Sequence, residues 1–139
     1  MSEFRYCKLS DEWRLFAPER LKRPNDLHNK KEKQDCFDIK DEHCPFDMGK
    51  EKFTISEISR IEQNGQWQCR VVPNLYNALS IDVENISSRE KYFTKHTGFG
   101  AHEVVIETPS HTKQIWDFDY NDLEKTVHTL RDVTVALGD

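Results

Sequence analysis

The chain is 139 residues long, 36% hydrophobic and 32% charged, with 20 Lys and Arg against 25 Asp and Glu and a formal net charge of -5. That balance excludes the disordered and fibrous classes, and its acidic sign argues against a broad electrostatic surface for nucleic acid. No apolar stretch approaches the ~20 residues needed to cross a bilayer, and Met1-Ser2-Glu3-Phe4-Arg5 begins no signal peptide, so a cytoplasmic protein without a membrane partner is expected.

The length suits one domain over residues 1–139 with a core of its own. Residues 13–16 read as a short strand closed by Ala17-Pro18. Basic charge then accumulates, with Arg20, Lys22, Arg23, Lys30, Lys31 and Lys33 against Glu19, Asp26 and Glu32. Residues 24–42 show no periodicity and are expected to form a long mobile surface loop. A second strand is expected over 53–61, rich in Ile, Phe and Thr, followed by a tight turn at Asn64-Gly65. That turn pairs 54–62 with 66–72, and the alternation Trp67, Cys69, Val71 predicts one apolar face on the second strand. Counting outward from the turn sets Glu62 and Arg60 opposite Trp67 and Cys69, which demands either a bulge or a longer turn.

Residues 102–107 form the next predicted strand, with Val104, Val105 and Ile106 consecutive as in a strand covered on both faces. The last element is a helix, capped by Asn121 with Glu124 in capping-box position, its apolar row Leu123, Val127, Leu130, Val133 and Leu137, and Gly138 at its stop. An antiparallel sheet with a long C-terminal helix packed on it is an α+β fold.

Three segments carry residues able to do chemistry. Arg20 and Arg23, three apart between Pro18 and Pro24, offer forked donors suited to a phosphate, although a solvated basic turn has the same composition. Cys44 and Asp47 have the spacing of a zinc knuckle in which carboxylate replaces the second thiolate, with His111 as the distant partner that follows directly on a strand. The cysteines Cys7, Cys36, Cys44 and Cys69 are read as reduced thiols or metal ligands, since nothing indicates export to an oxidising compartment. Asn74, just after the strand-ending Pro73, presents an amide able to bind a ribose or a base edge, or else to bond its own backbone.

The ordered series Glu12-Trp13-Arg14-Leu15-Phe16-Ala17-Pro18-Glu19-Arg20-Leu21-Lys22-Arg23-Pro24, Cys44-Pro45-Phe46-Asp47, Arg70-Val71-Val72-Pro73-Asn74-Leu75-Tyr76-Asn77-Ala78-Leu79 and Gly100-Ala101-His102-Glu103-Val104-Val105-Ile106-Glu107-Thr108-Pro109-Ser110-His111 resembles the N-terminal half of galactose-1-phosphate uridylyltransferases, of the histidine-triad superfamily. The resemblance implies a nucleotidyltransferase that moves a uridylyl group between sugar phosphates through a covalent nucleotidyl-histidine. It assigns Arg20 and Arg23 to the phosphates, Phe46 to the wall of the base pocket, Asn74 to the nucleotide, and Cys44, Asp47 and His111 to a zinc ion. It further implies a UDP-sugar or other nucleotide and a sugar phosphate as partners; a homodimer is expected on separate grounds, because a truncated domain leaves an apolar sheet edge or helix face that its other half would cover. Asp47 stands where many relatives of that family have cysteine, so the site offers a harder oxygen. None of the six histidines forms the His-x-His pair that carries the family's nucleophile. The sequence is therefore expected to be the N-terminal piece of such an enzyme, inactive by itself. The alternatives are a non-catalytic nucleotide- or sugar-phosphate-binding module and a structural zinc-containing interaction domain.

Overall fold

The computed structural model describes residues 1–22, 44–90 and 92–138. Arg23 and the expected loop 24–42 lie outside the described residues. The strands, in order, are β1 Glu3–Cys7, β2 Glu12–Phe16, β3 Ser59–Gln63, β4 Gln66–Pro73, β5 Ser87–Glu90, β6 Phe93–Thr97 and β7 Glu103–Ile106, and the long helix is α1 Tyr120–Gly138. The α+β class stands, with the strands divided between two antiparallel sheets. No helix among the described residues is long and apolar enough to cross a membrane.

The chain divides into two compact units. The first comprises Met1–Asn25 and Tyr76–His102. Its sheet runs β2-β1-β6-β5, with β2 where residues 13–16 predicted a strand. Residues directly opposite share a face, so the pairs Phe4 with Leu15, Phe4 with His96 and Tyr6 with Trp13 gather an aromatic surface on one side. The Trp13 ring lies 5.3 Å from Tyr6 and 4.8 Å from His96. Just beyond β6, the Gly98 amide donates to the Ser2 carbonyl at 2.8 Å, and a Cβ at Gly98 would fall 2.7 Å from that of Ser2. Only glycine permits so close an approach of two backbones.

The second unit comprises Asp26–Leu75 and Glu103–Asp139, with a sheet ordered β3-β4-β7 and the helix α1 against β4. The predicted turn forms as expected: Asn64 (φ 55°) and Gly65 (φ 75°) both take positive φ, and Gln63 pairs with Gln66. Of the two ways to reconcile the strands, a bulge is the one used. Glu62 pairs with Trp67 and Ile61 with Cys69, leaving Gln68 as the extra residue.

That extra residue corrects the predicted apolar face. Trp67, Cys69 and Val71 are all buried, but an inserted residue inverts the alternation between Trp67 and Cys69. Trp67 therefore shares a face with Arg70 and Val72, whose partners across β7 are Ile106 and Val104, and it forms the core cluster with Val72 and Ile106. Cys69 and Val71 take the opposite face, and the Cys69 thiol is bonded to Thr129 of α1. The magnitudes favour this outcome. A buried tryptophan removes on the order of 200 Å² from water, about 5 kcal/mol at ~25 cal/mol per Å², against roughly 1 kcal/mol for a disrupted ladder hydrogen bond.

Two further expectations are corrected. Residues 53–58 are not strand: Glu51–Phe53 is a turn of 3-10 helix, and β3 begins only at Ser59. The reason is Arg70, whose guanidinium binds Thr54 Oγ1 at 3.1 Å and Glu57 Oε2 at 2.9 Å and holds residues 54–57 out of the ladder, which the chain rejoins where the Ile58 amide donates to the Val71 carbonyl at 2.8 Å. The helix also begins earlier than predicted. The Asp122 amide donates to Asp119 Oδ1 at 2.9 Å and the Asp119 amide to Asp122 Oδ2 at 3.4 Å, so these two aspartates make the reciprocal cap in place of Asn121 and Glu124. The face that α1 buries is marked by Thr126 and Thr129, each hydroxyl bonded to the carbonyl four residues back, whereas Leu123, Val127, Leu130 and Leu137 stay exposed.

Candidate metal centre

Cys44 and Asp47 stand on a tight turn built by Pro45. The Asp47 amide donates to the Cys44 carbonyl at 3.4 Å and the Lys50 amide to the Asp47 carbonyl at 3.1 Å, so one turn follows directly on another. Gly49 closes the second with φ 84°, a conformation that a residue bearing Cβ resists. His111 arrives from the far end of the same unit. After β7, Thr108 Oγ1 accepts the Ser110 amide at 3.2 Å, and Lys113 is ion-paired with Asp122 at the start of α1, so both flanks of His111 are tethered.

These turns bring the three residues named from the sequence together. One ligand atom from each of Cys44, Asp47 and His111 lies within 4.8 Å of the others, and His111 Nδ1 is 2.8 Å from Asp47 Oδ1. Asp47 is buried, with 8% of its surface exposed, and its second oxygen, Oδ2, is buried without a hydrogen-bond partner. An uncompensated carboxylate oxygen in such a place costs several kcal/mol, and a cation between the three side chains removes that cost. Burial pushes the Cys44 thiol up from its ordinary value, and the neighbouring Asp47 carboxylate pushes it the same way. Bringing a second negative ligand beside Asp47 is thus unfavourable until positive charge is present. Sulfur, oxygen and imidazole nitrogen are all zinc donors, so the set fits zinc.

The other predicted residues fall in separate places. Arg20 sits half-buried in the 3-10 turn Pro18–Lys22 of the first unit, where its amide donates to the Ala17 carbonyl at 3.1 Å. Phe46, between Cys44 and Asp47, is 41% exposed. Asn74 is half-buried immediately after β4.

Four charged or titratable residues were not singled out from the sequence. Arg70, 1% exposed, joins Glu57 and Thr54, and its guanidinium lies 5.3 Å from the Trp67 ring centre. Burial raises the Glu57 carboxyl, but hydrogen bonds from Arg60 and Arg70 outweigh it and hold the group below its ordinary value. Glu51 Oε1 accepts both the Trp67 indole N–H at 2.6 Å and the Gly49 amide at 3.0 Å. In the first unit His102 Nδ1 accepts the Ala78 amide at 2.9 Å, and burial, with the Arg20 charge, lowers its pKa. The available signal for Arg70 was a charge inside the apolar run Cys69 to Val72, which only a buried partner tolerates.

Comparison with known proteins supplies the relationship. A curated ADP-glucose phosphorylase from Arabidopsis thaliana is 38% identical over 120 residues, covering 84% of this chain and 34% of its own. A crystal structure of an ADP-glucose phosphorylase from Arabidopsis thaliana with bound ADP-glucose superposes with a TM-score of 0.59 at 30% identity, over 99% of this chain and 38% of that one. The X-ray structure of a GalT-like protein from Arabidopsis thaliana gives 0.52 at 34% identity, over 70% of this chain and 31% of that one. The chain thus spans about a third of the length of these relatives. The family described as galactose-1-phosphate uridyl transferase, N-terminal domain, matches residues 1–139, and the chain belongs to that family.

Proposed function

We propose that this chain is the metal-bearing, nucleotide-binding N-terminal part of a nucleotidyltransferase acting on a nucleoside diphosphate sugar. The observation that carries the reading is the convergence of Cys44, Asp47 and His111, with the second Asp47 oxygen buried and unpartnered, in a chain of this family. In this reading Cys44, Asp47 and His111 hold zinc, which when bound fastens the 44–50 turn to the segment after β7. Arg20 and Arg23 neutralise the diphosphate, Asn74 hydrogen-bonds the nucleoside and Phe46 supplies an apolar wall for the base. The in-line attack on the α-phosphorus needs a nucleophilic histidine, and no His-x-His pair occurs in these 139 residues. The name ADP-glucose phosphorylase, carried by the curated relative and by the ADP-glucose-bound crystal structure, favours an ADP-sugar over a UDP-sugar as the donor, with phosphate as the acceptor.

The test is elemental analysis joined to calorimetry on the 139-residue chain. One equivalent of zinc is expected, lost on Cys44→Ala or His111→Ala. ADP-glucose is expected to bind more tightly than UDP-glucose, and Arg20→Ala to weaken it at least about tenfold. A chain that holds no zinc and gives no heat with either sugar nucleotide at millimolar concentration overturns the proposal.

A further inference from the structure

We infer that Glu51 is a positioning residue for the metal turn: its carboxylate ties the 44–50 turn to Trp67 in β4 and so fixes where Cys44 and Asp47 present their ligand atoms. The inference rests on the metal reading above and adds to it a residue that touches no ligand atom.

The argument begins with the bulge. Because Gln68 is inserted, the Trp67 indole lies on the Arg70 and Val72 face of the sheet, away from Cys69 and α1. There its N–H finds Glu51 Oε1 at 2.6 Å, and the same oxygen takes the Gly49 amide at 3.0 Å. One carboxylate oxygen thus bridges a core side chain of β4 and the backbone of the turn. Gly49 is two residues from Asp47, whose carbonyl is bonded to the Lys50 amide, so a shift at Gly49 is transmitted to Asp47 through a single turn.

The bridge is braced from the other side. Arg70, beside Trp67, holds Thr54 and Glu57, so the segment that starts at Glu51 is pinned to β4 at three points. The Glu51 carboxyl is itself kept ionised: backbone N–H groups of Glu51 and Gly49 lower its pKa, and the Arg70 charge adds to them. A turn of seven residues bearing two metal ligands has little rigidity of its own. Side chains that orient ligands from behind are worth about 10- to 100-fold in metal affinity.

Zinc affinity and the absorption spectrum of the cobalt-loaded 139-residue chain test this, for wild type, Glu51→Ala, Glu51→Gln and Trp67→Phe. Glu51→Ala is expected to weaken zinc binding about 10- to 100-fold and, at saturating cobalt, to shift the ligand-field bands. Glu51→Gln, which retains an oxygen acceptor, is expected to restore both to near wild type. Trp67→Phe keeps a smaller ring in the core and removes the donor, and serves if Glu51→Ala does not fold; it too is expected to shift the bands. Lost stability alone leaves the saturated spectrum unchanged, so identical spectra with affinities within about threefold overturn the inference. A Glu51→Gln variant as impaired as Glu51→Ala overturns the hydrogen-bond bridge as the cause. A wild-type chain that takes up neither metal instead removes the reading on which the inference rests.

Discussion

His111 Nδ1 and Asp47 Oδ1 are 2.8 Å apart although 64 residues separate them in the chain. The contact joins the segment after β7 to the turn that precedes β3, and it gathers the three candidate ligand atoms around a single carboxylate. Asp47→Asn keeps the shape and removes the charge, so zinc affinity is expected to fall at least about tenfold by competition with a chromophoric chelator. Asp47→Cys supplies a softer donor and is expected to tighten zinc while weakening manganese.

The buried guanidinium of Arg70 makes an asymmetric prediction. Glu57 retains Arg60 when Arg70 is removed, whereas Arg70, with 2% of its side chain exposed, loses its carboxylate partner when Glu57 is removed. Glu57→Ala is therefore expected to cost about 3 kcal/mol in urea unfolding, and Arg70→Met only roughly 1 kcal/mol. Equal losses for the two variants would contradict the pairing described.

The aspartate cap on α1 is open to the same measurement. Asp119→Ala and Asp122→Ala are each expected to cost about 1 kcal/mol, and Asn121→Ala and Glu124→Ala much less. The hydrogen bond from Lys113 holds the Asp122 carboxyl below its ordinary value of 3.8. Its folded-state pKa lies below that of the unfolded chain, so its contribution is present above that value and is lost as the pH falls through and below it. Asp122→Asn is expected to flatten that part of the stability profile.

His102 titrates in the opposite chemical sense but with the same direction on the pH axis. Burial, and then the Arg20 charge, lowers its pKa below 6.5, and its neutral Nδ1 accepts the Ala78 amide. Protonation removes that acceptor, so stability is present above 6.5 and is lost as the pH falls through the depressed value. His102→Gln, which stays neutral, is expected to remove this acid-side loss. A wild-type profile that is level between pH 7 and pH 5 would show that the bond contributes nothing.

The elements that were legible in the sequence are those whose signal is local. Asn64-Gly65 required positive φ and received it, and the misfit of Glu62 and Arg60 against Trp67 and Cys69 by itself demanded an irregularity. The convergence of Cys44, Asp47 and His111 was legible because ordered motifs name residues without needing their path through space. What stayed hidden depends on pairing across the chain. Residues 53–58 have strand-like composition, but Arg70, more than a dozen residues away, claims Thr54 and Glu57 and bends them out of the ladder. Asp119 and Asp122 fit the capping pattern no better than Asn121 and Glu124 two residues later, and Lys113, which pairs with Asp122, tips the choice.

The inserted Gln68 also gives the second unit two built-in reporters that answer different questions. Cys69, 0% exposed and bonded to Thr129, sits on the side of the sheet that α1 covers, while Trp67 looks to the other side. Reagent reaching the Cys69 thiol registers separation of α1 from β4, and a change in Trp67 emission registers loosening of the Glu51 and Arg70 layer. With the two residues only one insertion apart, the order in which the layers of this small unit come undone can be timed from opposite faces of one strand.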